Sequence, residues 1–190
     1  MTNYIWRKVS LPIAKHLIPS WMTPNMVTLI SFAIGIISVY FITLNLFSFA
    51  IFFLVISQIL DVVDGDLAKL RKLNTKSGSI IDAFLDRIVD VTLVLGIVSL
   101  DPENLALLGI VIASGSVMIS YVRWQAKAMG FDCNVGIASR DIRLLILMGG
   151  LFISIFFPFV LYYALILLAT LISITVVQRV VYTISRIRES

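Results

Sequence analysis

The sequence predicts an all-α, polytopic membrane protein with six transmembrane helices, an N-terminal interfacial amphipathic helix and both termini in the cytoplasm. Three observations predict it. Of 190 residues, 59% are hydrophobic and 14% charged, whereas soluble domains run near half apolar and a quarter charged. Two long stretches, between Lys15 and Asp61 and from Leu144 to Val177, hold no Lys, Arg, Asp or Glu. The basic residues fall in every second loop. The same composition excludes a disordered chain. A span takes about 20 residues, so this length accommodates roughly six with short loops and no room for a separate soluble domain.

Residues 1–22 are expected to form the interfacial helix and 23–190 the membrane domain. Residues 4–18 mix apolar and basic side chains in a segment too short and too charged to span, with Trp6 and Trp21 suited to headgroup depth. His16, with no acidic or second histidine beside it, reads as a solvated interfacial residue. The first charge-free stretch is too long for one span. Thr23-Pro24-Asn25 and Leu44-Asn45 punctuate it into spans at Asn25 to Leu44 and Phe47 to Lys69. A third runs from Gly78 to Leu100 and stops at Asp101-Pro102-Glu103-Asn104, which reads as a turn. The fourth covers Leu105 to Lys127, and Pro158 divides the second charge-free stretch into a fifth and a sixth. No small-residue cleavage site follows the first span, so it reads as a retained helix and not a signal. Cys133, the single cysteine, can form no intrachain disulfide and reads as a spectator thiol.

Charge sets the orientation. Arg7, Lys8 and Lys15 precede the first span, and Lys69, Arg71, Lys72 and Lys76 fill the loop after the second. Arg123, Lys127, Arg140 and Arg143 surround the loop after the fourth, and Arg186 and Arg188 close the chain. The opposite loops, around Asn45, Asp101 and Pro158, carry no Lys or Arg. The positive-inside rule then puts both termini in the cytoplasm of a multi-pass cell-membrane protein. The net charge of +4 reflects this bias. The basic residues form no tract, and no nucleic-acid partner is expected.

Against this background the aspartates stand out, because a charge at mid-bilayer costs at least about 2.5–3.5 kcal/mol. Asp61, Asp64 and Asp66 lie in the second span, and Asp82, Asp86 and Asp90 in the third. Asp61 and Asp64 share one helix face, as do Asp82, Asp86 and Asp90. At a rise of 1.5 Å per residue the first pair sits roughly 8–12 Å from the cytoplasmic end of its helix, and Asp82 and Asp86 roughly 6–12 Å from theirs. Four carboxylates at one depth repel unless neutralised. Divalent metal is the direct remedy; hard oxygen ligands favour Mg²⁺, Mn²⁺ or Ca²⁺ over zinc, and four acids suit a two-metal site. The plain alternative is structural ion pairing with Lys69, Arg71 and Arg87, which explains one aspartate better than four. For Asp66 and Asp90 both readings stay open. Gly65, directly after Asp64, is a place where a ligand could approach the backbone closely, and Gly78 begins the helix face that carries Asp82.

Asp61-Val-Val-Asp64-Gly65-Asp-Leu-Ala68-Lys69, eight residues, Gly78, three residues, Asp82, three residues and Asp86 together resemble the CDP-alcohol phosphotransferase signature, D-x2-D-G-x2-A-R-x8-G-x3-D-x3-D. Lys69 stands where that signature has arginine, which keeps the charge but loses bidentate phosphate binding. Pro24-Asn25 resembles the motif with which the family's first span begins, and the resemblance covers nearly the whole chain. It implies a CDP-alcohol donor, an acceptor alcohol whose hydroxyl attacks the phosphate distal to cytidine, and release of CMP. By position, Asp61, Asp64, Asp82 and Asp86 would ligate two Mg²⁺, or Mn²⁺ in their place, with Asp86 also the general base. Pro24, Asn25, Gly65, Ala68, Lys69, Thr75 and Gly78 would bind the CDP donor. Family members are commonly homodimers.

For the acceptor, Arg123, Arg140 and Arg143 form a second basic set. Positive-inside bias explains part of it; a phosphate pocket is the other reading, since arginine suits bidentate phosphate recognition. Ser120-Tyr-Val-Arg123 and Gly136-Ile-Ala-Ser-Arg140-Asp-Ile-Arg143 are similar to the branch that takes an inositol phosphate, which implies a phosphorylated polyol acceptor. That branch includes phosphatidylinositol- and archaetidylinositol-phosphate synthases and di-myo-inositol-phosphate-phosphate synthases. Lipid and soluble donors both stay open, as does another acceptor such as glycerol phosphate. The rival from another class is a cation or proton transporter, for which intramembrane acids are the default pointer. A transport path needs polar groups through both membrane halves, and the far side offers only Asp101 and Glu103. A catalytically inert relative is disfavoured by the presence of all four motif aspartates.

Overall fold

The structure is a computed structural model that describes residues 18–19, 21–73 and 75–189. Of the interfacial helix expected over 4–18, only Ile18 falls among them, and Trp6 and His16 lie outside. Among the described residues there are six helices and no strand: α1 (Pro24–Thr43), α2 (Phe47–Leu70), α3 (Lys76–Val98), α4 (Pro102–Ala128), α5 (Arg140–Ser154) and α6 (Phe159–Glu189).

Local chemistry sets their ends. α1 starts at Thr23, whose hydroxyl accepts from the Met26 amide at 3.4 Å, with Pro24 pre-set in the first turn. It stops where Asn45 turns left-handed (φ 59°) and the amides of Asn45 and Leu46 donate back to the carbonyls of Ile42 and Phe41. α2 stops the same way. Lys72 takes φ 56°, and the Lys72 and Leu73 amides donate to Lys69 and Ala68. α3 opens on Thr75, whose Oγ1 accepts from the Gly78 amide at 3.0 Å. The segment expected to be a turn after Leu100 is instead the first turn of α4. Asp101 caps it by accepting from the Asn104 amide, and Pro102 occupies a first-turn position where its missing N–H costs nothing. The helix expected as the sixth span also runs further than its charge-free stretch. α6 continues through Arg179, Arg186 and Arg188, cations placed toward the negative end of its dipole.

Four of these helices are long and apolar enough to cross a bilayer: α1, α2, α4 and the Phe159–Arg188 stretch of α6. This fits a multi-pass membrane protein. Of the six spans expected, the third and fifth are the ones length and apolarity do not select. α3 carries Lys76, Asp82, Asp86, Arg87 and Asp90, and α5 has only 15 residues, about 22 Å of helix against a hydrocarbon core of about 30 Å. Large apolar side chains such as Phe52, Leu107, Ile110 and Phe156 face outward, while Ser31, Ser38, Ser57 and Ser116 are buried. That inversion suits a lipid solvent.

The chain divides into two compact units, Met1–Leu93 and Val94–Ser190. In the first, α1 packs on α2 through a face of small and polar residues at Thr28, Ser31, Gly35 and Ser38. Ser31 and Ser57 exchange hydrogen bonds, each hydroxyl donating to the other's carbonyl at 2.9 Å, and Ser38 donates to the Ala50 carbonyl at 2.8 Å. Arg71, beyond the end of α2, donates to the carbonyls of Met22 (2.5 Å), Pro19 (3.0 Å) and Ile18 (3.4 Å), tying the segment before α1 to that end.

In the second unit α6 packs against α4 and α5, and it also straps the 131–139 segment. Thr175 accepts from the Ala138 amide at 2.9 Å. Arg179, only 6% exposed, donates to Val135 O at 2.9 Å and Ile119 O at 2.7 Å. Gly136 sits at φ +111° against the Thr175 methyl, where a side chain would meet both strain and collision.

The close approach of α1 and α2 predicts unequal tolerance to bulk. A Cβ on Gly35 would lie 3.1 Å from Ser57 Oγ and 3.2 Å from Val89 Cγ2, whereas one on Gly149 meets nothing within 4 Å. Gly35→Leu should therefore cost about 1–3 kcal/mol by overpacking and Gly149→Leu little, as read by thermal unfolding in detergent. Equal melting points would show that the α1–α2 contact is not tight.

Candidate active site

Asp64 lies six residues before the end of α2, and Asp82 six residues after the start of α3. At 1.5 Å per residue both carboxylates stand roughly 9 Å from the connecting turn, which is why they meet. Asp61 joins them from one turn earlier on α2. One oxygen from each of Asp61, Asp64 and Asp82 lies within 4.8 Å of the others, with Asp64 buried and the other two half-buried. Asp86, the fourth expected ligand, stands outside this group. It is half-buried on the same face of α3 as Asp82, displaced by four residues, about 6 Å along the axis.

Thr28 was not anticipated from the sequence. Its hydroxyl lies 2.5 Å from Asp64 Oδ2 and 3.1 Å from the Pro24 carbonyl oxygen. The other acids are also engaged locally: Lys69 Nζ lies 4.0 Å from Asp66 Oδ1, and Arg87 lies 3.7 Å from Asp90.

Beside the carboxylates opens a cavity of about 160 Å³. This is smaller than the roughly 300–1,000 Å³ that encloses a whole drug-sized ligand, so it suits the end of one. Six of the seven positions expected to hold the donor, Pro24, Asn25, Gly65, Ala68, Thr75 and Gly78, line it, together with Thr28, Asp64, Leu73, Ser79 and Asp82. Lys69, the seventh, has a largely exposed side chain. The two glycines serve different ends. A Cβ on Gly78 would press to 2.9 Å from both Asn25 Oδ1 and Thr75 Oγ1, so glycine lets those side chains close in. A Cβ on Gly65 would meet nothing within 4 Å. Packing does not require glycine there; its effect is to leave room in the cavity.

The second basic set lies in the Val94–Ser190 unit. Arg123 is exposed near the end of α4, Arg140 is half-buried as the first residue of α5, and Arg143 is buried one turn on, donating to the Ala138 carbonyl at 3.2 Å. Arg179 was likewise missed. Its signal was available, as a charged residue prolonging an apolar run.

The donor set fits a hard divalent cation. Oxygens around one ion at metal–oxygen distances of about 2.0–2.6 Å lie roughly 3–5 Å apart, which matches the spacing of the trio, and an all-carboxylate set disfavours soft metals. A membrane chain that gathers such acids beside an open cavity has the features of a metal-dependent enzyme acting on phosphate esters. The chain belongs to the CDP-alcohol phosphatidyltransferase family, whose sequence model matches residues 21–184; it is a transferase.

Among its relatives it is similar to the archaetidylinositol phosphate synthase of Methanothermobacter thermautotrophicus, 35% identical over 133 residues, 70% of this chain and 68% of that one. It is also similar to the phosphatidylinositol phosphate synthase of Mycolicibacterium smegmatis, 30% identical over 197 residues, 95% of this chain and 86% of that one. In three dimensions it resembles the crystal structure of Mycobacterium tuberculosis phosphatidylinositol phosphate synthase with CDP-DAG bound. The TM-score is 0.84 at 26% identity, covering 93% of this chain and 94% of that one. That protein has also been solved in complex with manganese and citrate, again at TM-score 0.84 and 26% identity, covering 92% and 88%.

The contrast between the glycines gives a test. Gly65→Ala removes a helix-interior glycine, which should raise stability by up to about 1 kcal/mol, yet its methyl enters the cavity. We expect an unchanged or higher melting point together with weaker binding of a CDP-alcohol, by roughly tenfold. Unchanged affinity would mean the donor lies elsewhere.

Proposed function

We propose that this transferase moves the substituted phosphate of a CDP-alcohol onto an inositol phosphate, releasing CMP, on the cytoplasmic side of the cell membrane. The observation that carries this reading is the convergence of Asp61, Asp64 and Asp82 beside the cavity lined by six donor-motif positions. The names of the relatives, inositol phosphate synthases with archaetidyl or phosphatidyl products, favour that acceptor. The neighbour solved with CDP-DAG favours a lipid donor.

Asp61, Asp64, Asp82 and Asp86 would hold two Mg²⁺, or Mn²⁺ in their place, which when bound supply charge neutralisation for the diphosphate and the departing CMP. Pro24, Asn25, Gly65, Ala68, Thr75 and Gly78 hold the CDP end of the donor, with Lys69 meeting its phosphates from the exposed rim as a point charge. Thr75 caps α3 by accepting a hydrogen bond, which leaves its hydroxyl proton for the ligand. Asp86 takes the proton of the acceptor hydroxyl as that oxygen bonds to the phosphorus distal to cytidine. The bond from that phosphorus to the bridging oxygen breaks, and CMP leaves with the electron pair. Arg123, Arg140 and Arg143 grip the acceptor's phosphate. Arg140 and Arg143 lie in the first turn of α5, where the helix dipole adds to their charge in favouring an anion.

The setting belongs to the same reading. It has an interfacial helix in residues 1–22 and a membrane domain from 23 to 190. Six spans, both termini in the cytoplasm and a homodimeric assembly complete it. α3 crosses with Asp82, Asp86 and Arg87 half-buried and Asp90 buried, and α5 with its flanking residues. The positive-inside distribution of Lys and Arg supports the orientation.

The test is Mg²⁺-dependent CMP release by the detergent-purified chain, offered CDP-diacylglycerol, CDP-archaeol or CDP-inositol, with inositol 1-phosphate, glycerol 3-phosphate or no acceptor. Release is expected with a CDP-lipid and inositol 1-phosphate, and is abolished by chelation. Release with glycerol 3-phosphate alone would overturn the acceptor assignment. Asp86→Asn should lower turnover at least about 100-fold, the worth of a general base, while donor binding persists; unchanged turnover would remove the base role.

A further inference from the structure

The geometry points to Thr28 as a positioning residue that pre-sets Asp64 for the metal. The inference rests on reading the aspartate trio as the metal site and adds a residue from a third helix to it. A threonine hydroxyl carries one proton. In a helix it ordinarily donates to the carbonyl four residues back, here that of Pro24 at 3.1 Å. Thr28 also has Asp64 Oδ2 at 2.5 Å, and a carboxylate is the stronger acceptor. The proton therefore goes to Asp64. Thr28 and Asp64 are both buried, at 7% and 6% exposure, so water does not readily replace either partner.

This bond reaches across 36 residues and fixes what the hairpin of α2 and α3 leaves free. Mutual repulsion among Asp61, Asp64 and Asp82 favours turning a carboxylate away from the other two. Holding Asp64 at one oxygen fixes the plane of its carboxylate and so the direction of its remaining lone pairs. Threonine suits the task because its β-branch restricts χ1. Its backbone is steadied by the Ser31–Ser57 exchange one turn along. Losing an outer partner of this kind typically costs about 10–100-fold in metal affinity.

The experiment is Mn²⁺ titration of the purified full chain, read by the electron paramagnetic resonance signal of free Mn²⁺, with melting points taken alongside. Thr28→Val keeps the branched shape and removes the donor; it should weaken Mn²⁺ binding about 10–100-fold. Thr28→Ser restores the donor and should bind close to wild type. Saturating Mn²⁺ should recover CMP release by Thr28→Val but not by Asp82→Asn. Wild-type affinity in Thr28→Val, or equal weakening in Thr28→Ser, would overturn the inference. If the valine variant does not fold, Thr28→Ala stands in its place. Wild-type protein that binds no Mn²⁺ would sink the metal site and this inference together. Binding lost in Asp82→Asn but intact in Thr28→Val would sink this inference alone.

Discussion

Asp61, Asp64 and Asp82 hold three carboxylate oxygens within 4.8 Å of one another, on helices whose outer faces are built for lipid. At that separation, and with less water than at a free surface, like charges repel by several kcal/mol per pair at an effective dielectric near 20. The rest of the Met1–Leu93 unit is organised around this constraint. The turn from α2 to α3 is short, and its left-handed position is filled by Lys72, although a Cβ there costs roughly 1–2 kcal/mol. That tight turn puts Asp64 and Asp82 at equal depth. A longer or slipped turn would separate them by a helical step and leave each to be desolvated alone.

The second requirement is proximity of α1, and small residues provide it. In lipid, apolar surface gives helices little reason to associate, so packing and interhelical hydrogen bonds do the work. Ser31, Gly35, Ser38 and Ser57 let the two backbones approach, and the three serine hydroxyls donate to carbonyls of the opposite helix. The same approach carries Pro24, Asn25 and Thr28 to the cavity, and Gly78 admits Asn25 from the opposite side. The second unit uses a related device. Arg179 spends its guanidinium on backbone carbonyls of the 131–139 segment and of α4, so that an irregular stretch leading to Arg140 is held without a strand or disulfide.

Much of this was legible in the sequence. The charge-free runs and their bracketing turn residues locate α1 and α2 to within a residue or two, because few other signals compete in a membrane segment. Spacing puts Asp61 with Asp64 and picks out Asp82. Asp86, four residues further along the same face, stands about 6 Å beyond Asp82 on the axis, an offset that the depth range expected for the pair already spans. Asp101-Pro102 was ambiguous by nature, since the same residues start turns and cap helices. Thr28 was illegible because its partner lies on another helix, and a threonine in a span is unremarked until packing sets the register. Sign alone suggests Arg71 as a partner for aspartates, and it cannot reveal that the guanidinium also donates to the carbonyls of Ile18, Pro19 and Met22, acceptors that every sequence contains.

The shortness of the α2–α3 connection has a consequence for how the centre is made. The three carboxylates fall within one helical hairpin, Asp61 to Asp82, and are joined by a single tight turn. The entropy of closing a loop grows with its length, and contacts between sequence neighbours form ahead of distant ones. The trio is thus a local product of folding. All three carboxylates belong to that one hairpin, and α1 contributes to it the Thr28 hydroxyl bonded to Asp64.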